Sequence, residues 1–163
     1  MTNYAFTPAT LADIPEILAL YRSLFGTPGC MWDEHYPNAE ITEHDINSGS
    51  VYVLRDGDKI IATASVGDDI EDDDFLDSFE WRGKNNCDLA RIGVLPEMHG
   101  RGIGTHIVGC AIEAARAKGF DGLRLFVVHD NHAALAMYSK YNFVNHGIVT
   151  AYDYPFHRCE ILF

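Results

Sequence analysis

The sequence predicts an α/β fold with a mixed, mostly antiparallel sheet and helices on both faces. Three observations carry that reading. Asp56-Gly57-Asp58, a tight hairpin signal, separates two strand-like runs, Val51-Tyr52-Val53-Leu54 and Lys59 to Val66. A strand over Leu89 to Pro96 then passes through a glycine-rich turn, His99-Gly100-Arg101-Gly102-Ile103-Gly104-Thr105, into a helix. A further strand, a further helix and two closing strands follow, joining a parallel crossover to antiparallel neighbours.

The elements follow in order. Tyr4-Ala5-Phe6 reads as a short strand ended by Thr7-Pro8. Thr10 or Asp13 caps a helix with Pro15 in its first turn and an apolar face of Ile14, Ile17, Leu18 and Tyr21. Residues 26–37 are a connection broken by Pro28, Gly29 and Pro37, and a second helix covers Ala39 to Asn47, ending near Gly49. After the hairpin, residues 67–86 crowd carboxylates (Asp68, Asp69, Glu71, Asp72, Asp73, Asp74, Asp77, Glu80) among Phe75, Leu76, Phe79 and Trp81, which suits an amphipathic turn or short helix. The central helix carries Ile103, Ile107, Ala111, Ala114 and Ala115 at helical spacing and stops at Gly119. Leu123 to Val128 is the next strand, Asn131 caps a helix to about Lys140, and Phe143 to Tyr154 and His157 to Phe163 are closing strands joined at Pro155. No repeat, linker or low-complexity tract divides the chain, so one domain over residues 1–163 is expected.

Composition narrows the function classes. With 163 residues, 47% of them apolar, the chain can bury a substantial core. A formal charge of −12 argues against nucleic acid or an anionic membrane as partner, and leaves a cationic substrate open. No apolar run is long enough to span a bilayer, and Met1-Thr2-Asn3-Tyr4 does not open a signal peptide. Cys30, Cys87, Cys110 and Cys159 form no C-x-x-C pair and read as free thiols of a cytoplasmic protein.

The glycine-rich turn carries the chemistry. A strand that feeds a helix through such a turn presents unpaired N–H groups, and the helix dipole adds positive charge, so a phosphate is expected there. The Gly-Lys-Ser/Thr ending of a Walker loop is absent, and the glycine spacing is not that of the dinucleotide fingerprint. His99-Gly100-Arg101-Gly102-Ile103-Gly104 instead resembles Gln/Arg-x-x-Gly-x-Gly/Ala, the pyrophosphate loop of the Gcn5-related N-acetyltransferase (GNAT) family, with His99 where Gln or Arg is usual. A second stretch, Asn131-x-x-Ala134-x-x-x-Tyr138 followed by Tyr141-Asn142-Phe143, resembles that family's Asn-x-x-Ala-x-x-x-Tyr…Gly-Phe segment. It sits one strand downstream, as in the family.

The resemblance implies a GNAT-like acyl-coenzyme A N-acyltransferase fold with splayed central parallel strands. Acetyl-coenzyme A is implied as co-substrate, with no metal. By resemblance, Ile92, Gly93 and Val94 meet the pantetheine arm, and Gly93 within a strand independently suggests a bulge, a close backbone approach, or a plain weakened core strand. His99, Gly100, Arg101, Gly102, Ile103, Gly104 and Thr105 are implied to hold the pyrophosphate, and Asn131 to contact the coenzyme besides capping its helix. Tyr138 resembles the general acid that returns a proton to the departing thiolate, although a tyrosine there is also compatible with a core role. Asp88 and Glu80 are the candidates for general base, against the plainer reading of solvated acids. Cys87 reads as an ordinary thiol. His129, Asp130 and His132 share the strand-to-helix turn but offer no convincing third ligand on a fixed element, so no metal is expected.

The expected reaction is direct transfer of an acetyl group, in a ternary complex, to a primary amine of a small molecule or peptide. The resemblance places segment 68–80 beside the acceptor cleft, where its charge favours an ammonium; a plain solvated loop is the alternative reading. A non-catalytic acyl-coenzyme A sensor of the same fold and an acyltransferase with another acceptor or a longer donor are the alternatives. Tyr152, Tyr154, Phe156 and Phe163 in the closing strands suit either a homodimer surface or core.

Overall fold

The computed structural model describes residues 3–71 and 73–163; Met1, Thr2 and Asp72, three positions cited above, lie outside the described residues. Seven strands form one sheet in the order β1-β2-β3-β4-β5-β7-β6. They are β1 (Ala5–Pro8), β2 (Val51–Asp56), β3 (Lys59–Gly67), β4 (Asn86–Val94), β5 (Gly122–Val128), β6 (Val144–Ala151) and β7 (Tyr154–Leu162). The helices are α1 (Ile14–Ser23), α2 (Ala39–Asn47), α3 (Asp73–Asp77), α4 (Ile103–Ala117) and α5 (His132–Tyr138). Every strand pair is antiparallel except β4 with β5.

Alternation along the strands divides the core. Val51, Val53 and Ile60 face α1 with Ile17, Leu20 and Tyr21. Their neighbours Leu54 and Ile61 face the other way, into a larger cluster with Ile107, Val108 and Ala111 of α4 and Leu123, Leu125 and Val127 of β5. Helices on both faces are therefore a consequence of strands whose consecutive residues are both apolar. None of the helices among the described residues is long and apolar enough to cross a membrane.

Caps and turns explain most boundaries. The Thr10 amide donates to Asp13 Oδ2 at 2.8 Å around a single 3-10 turn, and Pro15 then begins α1. Asn38 and Asn131 accept from the amides of Ile41 and Ala134, capping α2 and α5. The closing hairpin departs most from the sequence expectation. The closing hairpin turns at Tyr152 and Asp153, with φ of +52° and +62°, and Pro155 lies inside β7 opposite Thr150. Two consecutive left-handed residues match the twist of a tight hairpin, and a proline near a strand's start costs only one ladder donor.

Two features of β4 shape the site. Its parallel ladder with β5 comprises Asn86↔Gly122, Cys87↔Leu123 and Asp88↔Arg124 and goes no further, so beyond Asp88 it pairs only with β3. Against β3 the register shifts between Ala90 and Gly93, where one extra residue is accommodated and Arg91 takes φ +49°.

Candidate active site

A cleft of 1320 Å³ opens where β4 and β5 part. Leu89 to Val94 form one wall and Arg124 to Val128 the other, with the glycine-rich turn and α5 at one end. The other end is bounded by residues 27–32, by Glu40, Ile41 and His44 of α2, by Asp69, Ile70 and Glu71, and by Tyr152 of the β6–β7 turn.

At the first end the cleft surface is mostly backbone. Gly100 and Gly102 have φ of +76° and +77°, a conformation costly for any side chain, while space for a Cβ is open at both. Gly104 is small for another reason: a Cβ there would stand 2.8 Å from Met137 Sδ of α5. Among the described residues, the amides of Gly100, Arg101, Gly102, Ile103, Gly104 and Thr105 have no hydrogen-bond partner outside their own helix, and α4 has no side-chain cap. Six donors at a helix start have the geometry and partial charge that suit an anion. His99 Nε2 lies 2.8 Å from the Val94 carbonyl and fastens the turn to the end of β4. Lys140 Nζ, which sequence reasoning did not single out, sits 3.3 Å from Thr105 Oγ1 and adds a cation there. The Arg101 side chain is exposed and does not line the cleft.

In the middle, the Leu95 amide donates to Ile61 of β3, so alternation turns the Val94 N–H toward the gap left by β5. Gly93 answers to a close approach rather than to the bulge, which lies at Arg91 and Ile92. A Cβ on Gly93 would meet Leu20 Cδ2 at 2.8 Å and Leu24 Cδ1 at 3.1 Å. Tyr138 lines the cleft from α5, 8% exposed, its ring edge-on to Phe143. Burial pushes its ionisation upward, so the phenol keeps its proton. Asn131 lines the cleft while its Oδ1 caps α5, and Gly29 packs against its side chain.

The two candidate bases do not line the cleft. Asp88 is buried in an ion pair with Arg124 Nε at 2.7 Å, and Arg124 also reaches Asp77 at 2.8 Å. Glu80 is exposed, and its backbone carbonyl accepts from Arg158. The acids that do line it are Glu40, Asp45, Asp69 and Glu71. Their signal in the sequence was weak, because Glu40 and His44 share one helical face but meet the 69–71 segment only when α2 docks beside it. Cys87 is buried, and desolvation pushes its thiol up to about 12, which makes it inert near neutrality.

Comparison with known proteins agrees with this geometry. Mycothiol acetyltransferase of Renibacterium salmoninarum is 31% identical over 64 residues, covering 39% of this chain and 19% of that protein, so the match spans about a fifth of the relative. An acetyltransferase of the GNAT family from Streptococcus agalactiae superposes with a TM-score of 0.80 at 17% identity, covering 98% of this chain and 95% of that one. Ribosomal-protein-alanine N-acetyltransferase from Brucella melitensis gives 0.77 at 21% identity, covering 98% and 99%. YncA from Salmonella typhimurium, solved with its cofactor acetyl-CoA, gives 0.76 at 16%, covering 98% and 94%. The sequence profile of the acetyltransferase (GNAT) family matches residues 14–143. With that span including both walls of the cleft and the glycine-rich turn, the chain belongs to the GNAT family of acetyltransferases.

Proposed function

We propose that this protein transfers the acetyl group of acetyl-coenzyme A directly to a primary amine of a small molecule or peptide. The observation that carries this reading is the row of amides from Gly100 to Thr105 with no side-chain cap and no partner outside their own helix, at the end of a strand that has left its parallel neighbour. A diphosphate fits the amides, and an extended pantetheine arm fits the gap between β4 and β5 as an extra strand-like segment. When bound, the thioester supplies an activated acyl carbon.

The chain's own residues then do the following. Ile92 and Val94 present backbone polar groups to the arm, Gly93 between them stays paired with β3, and the Val94 N–H faces the carbonyl oxygen as negative charge develops. A donor of this kind is worth roughly 2.7–4 kcal/mol of barrier. Gly100 to Thr105 hold the diphosphate, with Lys140 close by and His99 keeping the turn against β4. Asn131 fixes the start of α5 and so the placement of Tyr138, whose phenol hands its proton to the leaving sulfur. The acceptor enters from the end lined by Tyr36, Glu40, Asp69 and Glu71, where carboxylates accept the ammonium proton through water and Arg91 and Arg124 stay paired with acids. Holding both reactants across the gap between β4 and β5 provides most of the rate gain.

The test is a panel of amines with acetyl-coenzyme A, read as thiol release, for the natural chain and for Tyr138→Phe. The expected result is at least one acceptor, with kcat lowered by about 10²-fold in the variant and coenzyme affinity kept. Tight coenzyme binding with no acceptor from a broad panel identifies a sensor instead.

A further inference from the structure

We propose that Arg91 is a positioning residue that couples the acceptor wall of the cleft to the backbone that meets the donor. The proposal rests on the transferase reading above and deepens it. Arg91 stands at the β4 bulge with φ +49°, a conformation a non-glycine residue keeps only when its surroundings hold it there. Those surroundings are unusually complete. Nε and Nη2 reach Asp45 Oδ2 of α2 at 3.0 and 2.6 Å, and Nη2 also donates to the Ile70 carbonyl at 2.7 Å. Nη1 donates to Tyr36 Oη at 2.8 Å and lies 3.4 Å from Glu71 Oε1. One guanidinium thus gathers the loop before α2, α2 itself and the 70–71 segment, while its side chain is only 3% exposed.

The bulge and the network depend on each other. Cys87 and Leu89 face α4, and after the extra residue Ile92 and Val94 face α4 again. In an unbulged strand Arg91 would share that face; the bulge turns it to the α1–α2 side, where its partners are. The same shift sets the directions of the Ile92, Gly93 and Val94 backbone groups. Tyr36, Asp45, Ile70 and Glu71 all line the acceptor end. Acceptor wall and donor backbone are therefore held through one side chain, whose five donors no lysine can reproduce.

Two variants test this. Arg91→Lys keeps a charge for Asp45 but cannot hold Tyr36 and the Ile70 carbonyl together. Tyr36→Phe leaves the buried ion pair intact and removes only the phenol contact. The expected result for Arg91→Lys is an acceptor KM raised about tenfold or more, with the acetyl-coenzyme A dissociation constant within about threefold of the natural chain. Tyr36→Phe gives a smaller rise, and the double variant behaves like Arg91→Lys alone, since both lesions lie in one network. Hydrogen exchange supplies a readout that needs no turnover: acetyl-coenzyme A slows amide exchange in residues 36–45 and 70–71 of the natural chain, and the slowing is lost in Arg91→Lys. An acceptor KM unchanged in both variants, additive effects, or the same slowing in Arg91→Lys overturns the proposal while transfer itself stands. Slowing that is lost in Arg91→Lys, in a chain that acetylates no amine, overturns the transferase reading and leaves the coupling standing.

Discussion

Glu160 shows how one side chain fastens a loop to this sheet. Its carboxylate, 1% exposed, accepts from the amides of Arg82 and Gly83, from Asn86 Nδ2 and from His146 Nε2, all within 2.9 Å. Burial alone raises such a carboxyl, yet the four donors outweigh it and hold Glu160 below the ordinary carboxylate range. A carboxyl lowered in the folded state stabilises above its unfolded pKa, and that contribution is lost as the pH falls through the lower folded value. Glu160→Gln is therefore expected to cost about 1–3 kcal/mol near neutrality and to flatten the acid limb of stability, measured by urea melts at a series of pH values. The thiols give a second residue-scale expectation. Burial pushes Cys87 up to about 12 and Cys159 to about 11, whereas Cys30 and Cys110 are partly exposed. Iodoacetamide on the native protein should modify Cys30 and Cys110 and leave the other two, as mass spectrometry of the peptides would show.

At the scale of elements, the glycine-rich turn and the gap beside it make separable demands. Gly102 is constrained by its left-handed backbone with open space around it, and Gly104 by the sulfur of Met137. Gly102→Ala should cost roughly 1–2 kcal/mol and weaken coenzyme binding, because rotating that residue redirects neighbouring amides. Gly104→Ala sits in helical backbone, so in a Met137→Ala background its penalty should vanish while that of Gly102→Ala stays; thermal melts of the three single and two double variants check this. The apex of the gap is the buried Asp88–Arg124 pair, on the last rung of the parallel ladder. Removing one partner of such a pair costs about 3–5 kcal/mol, so Asp88→Leu should lower stability by that order in a denaturant titration. These elements were readable to different degrees. Strands and helices followed from periodicity, and two of the caps from Thr10 or Asp13 and from Asn131, whereas the Asn38 cap of α2 was not singled out. The hairpin at Tyr152-Asp153 did not, because tyrosine is a poor signal for left-handed backbone and Pro155 competed for the turn. The bulge was sought at Gly93, the flexible residue, and is found at Arg91, where the buried partners of the side chain impose the conformation.

For the whole molecule, the proposed donor end lies in consecutive backbone, so that Gly100 to Thr105 stand out by spacing in the sequence alone. The acceptor end is assembled from Tyr36, Glu40, Asp69, Glu71 and Tyr152, which meet only after α2, the segment before α3 and the closing hairpin converge on β4 and β5. Asp88 resembled a base because a carboxylate at the head of the central strand stands out, and nothing local reveals that Arg124 engages it from the next strand. The charge of the assembled molecule bears directly on the acceptor. The chain carries −12, and at the acceptor end Glu40, Asp45, Asp69 and Glu71 outnumber Arg91, which is itself engaged by Asp45 and Glu71, so the field at the mouth is negative. Such a field raises the encounter rate with a cation and is screened by salt, as the Debye length shrinks from about 30 Å at 0.01 M to about 8 Å at 0.15 M. Over that range kcat/KM for a dicationic amine should fall by about tenfold, while a zwitterionic amino acid should change little. Glu40→Gln combined with Glu71→Gln should flatten the slope for the dication while leaving acetyl-coenzyme A affinity as it was. Equal salt slopes for the two acceptors would mean that the carboxylates serve the wall's hydrogen bonds alone, and that the molecule's charge plays no part in choosing its substrate.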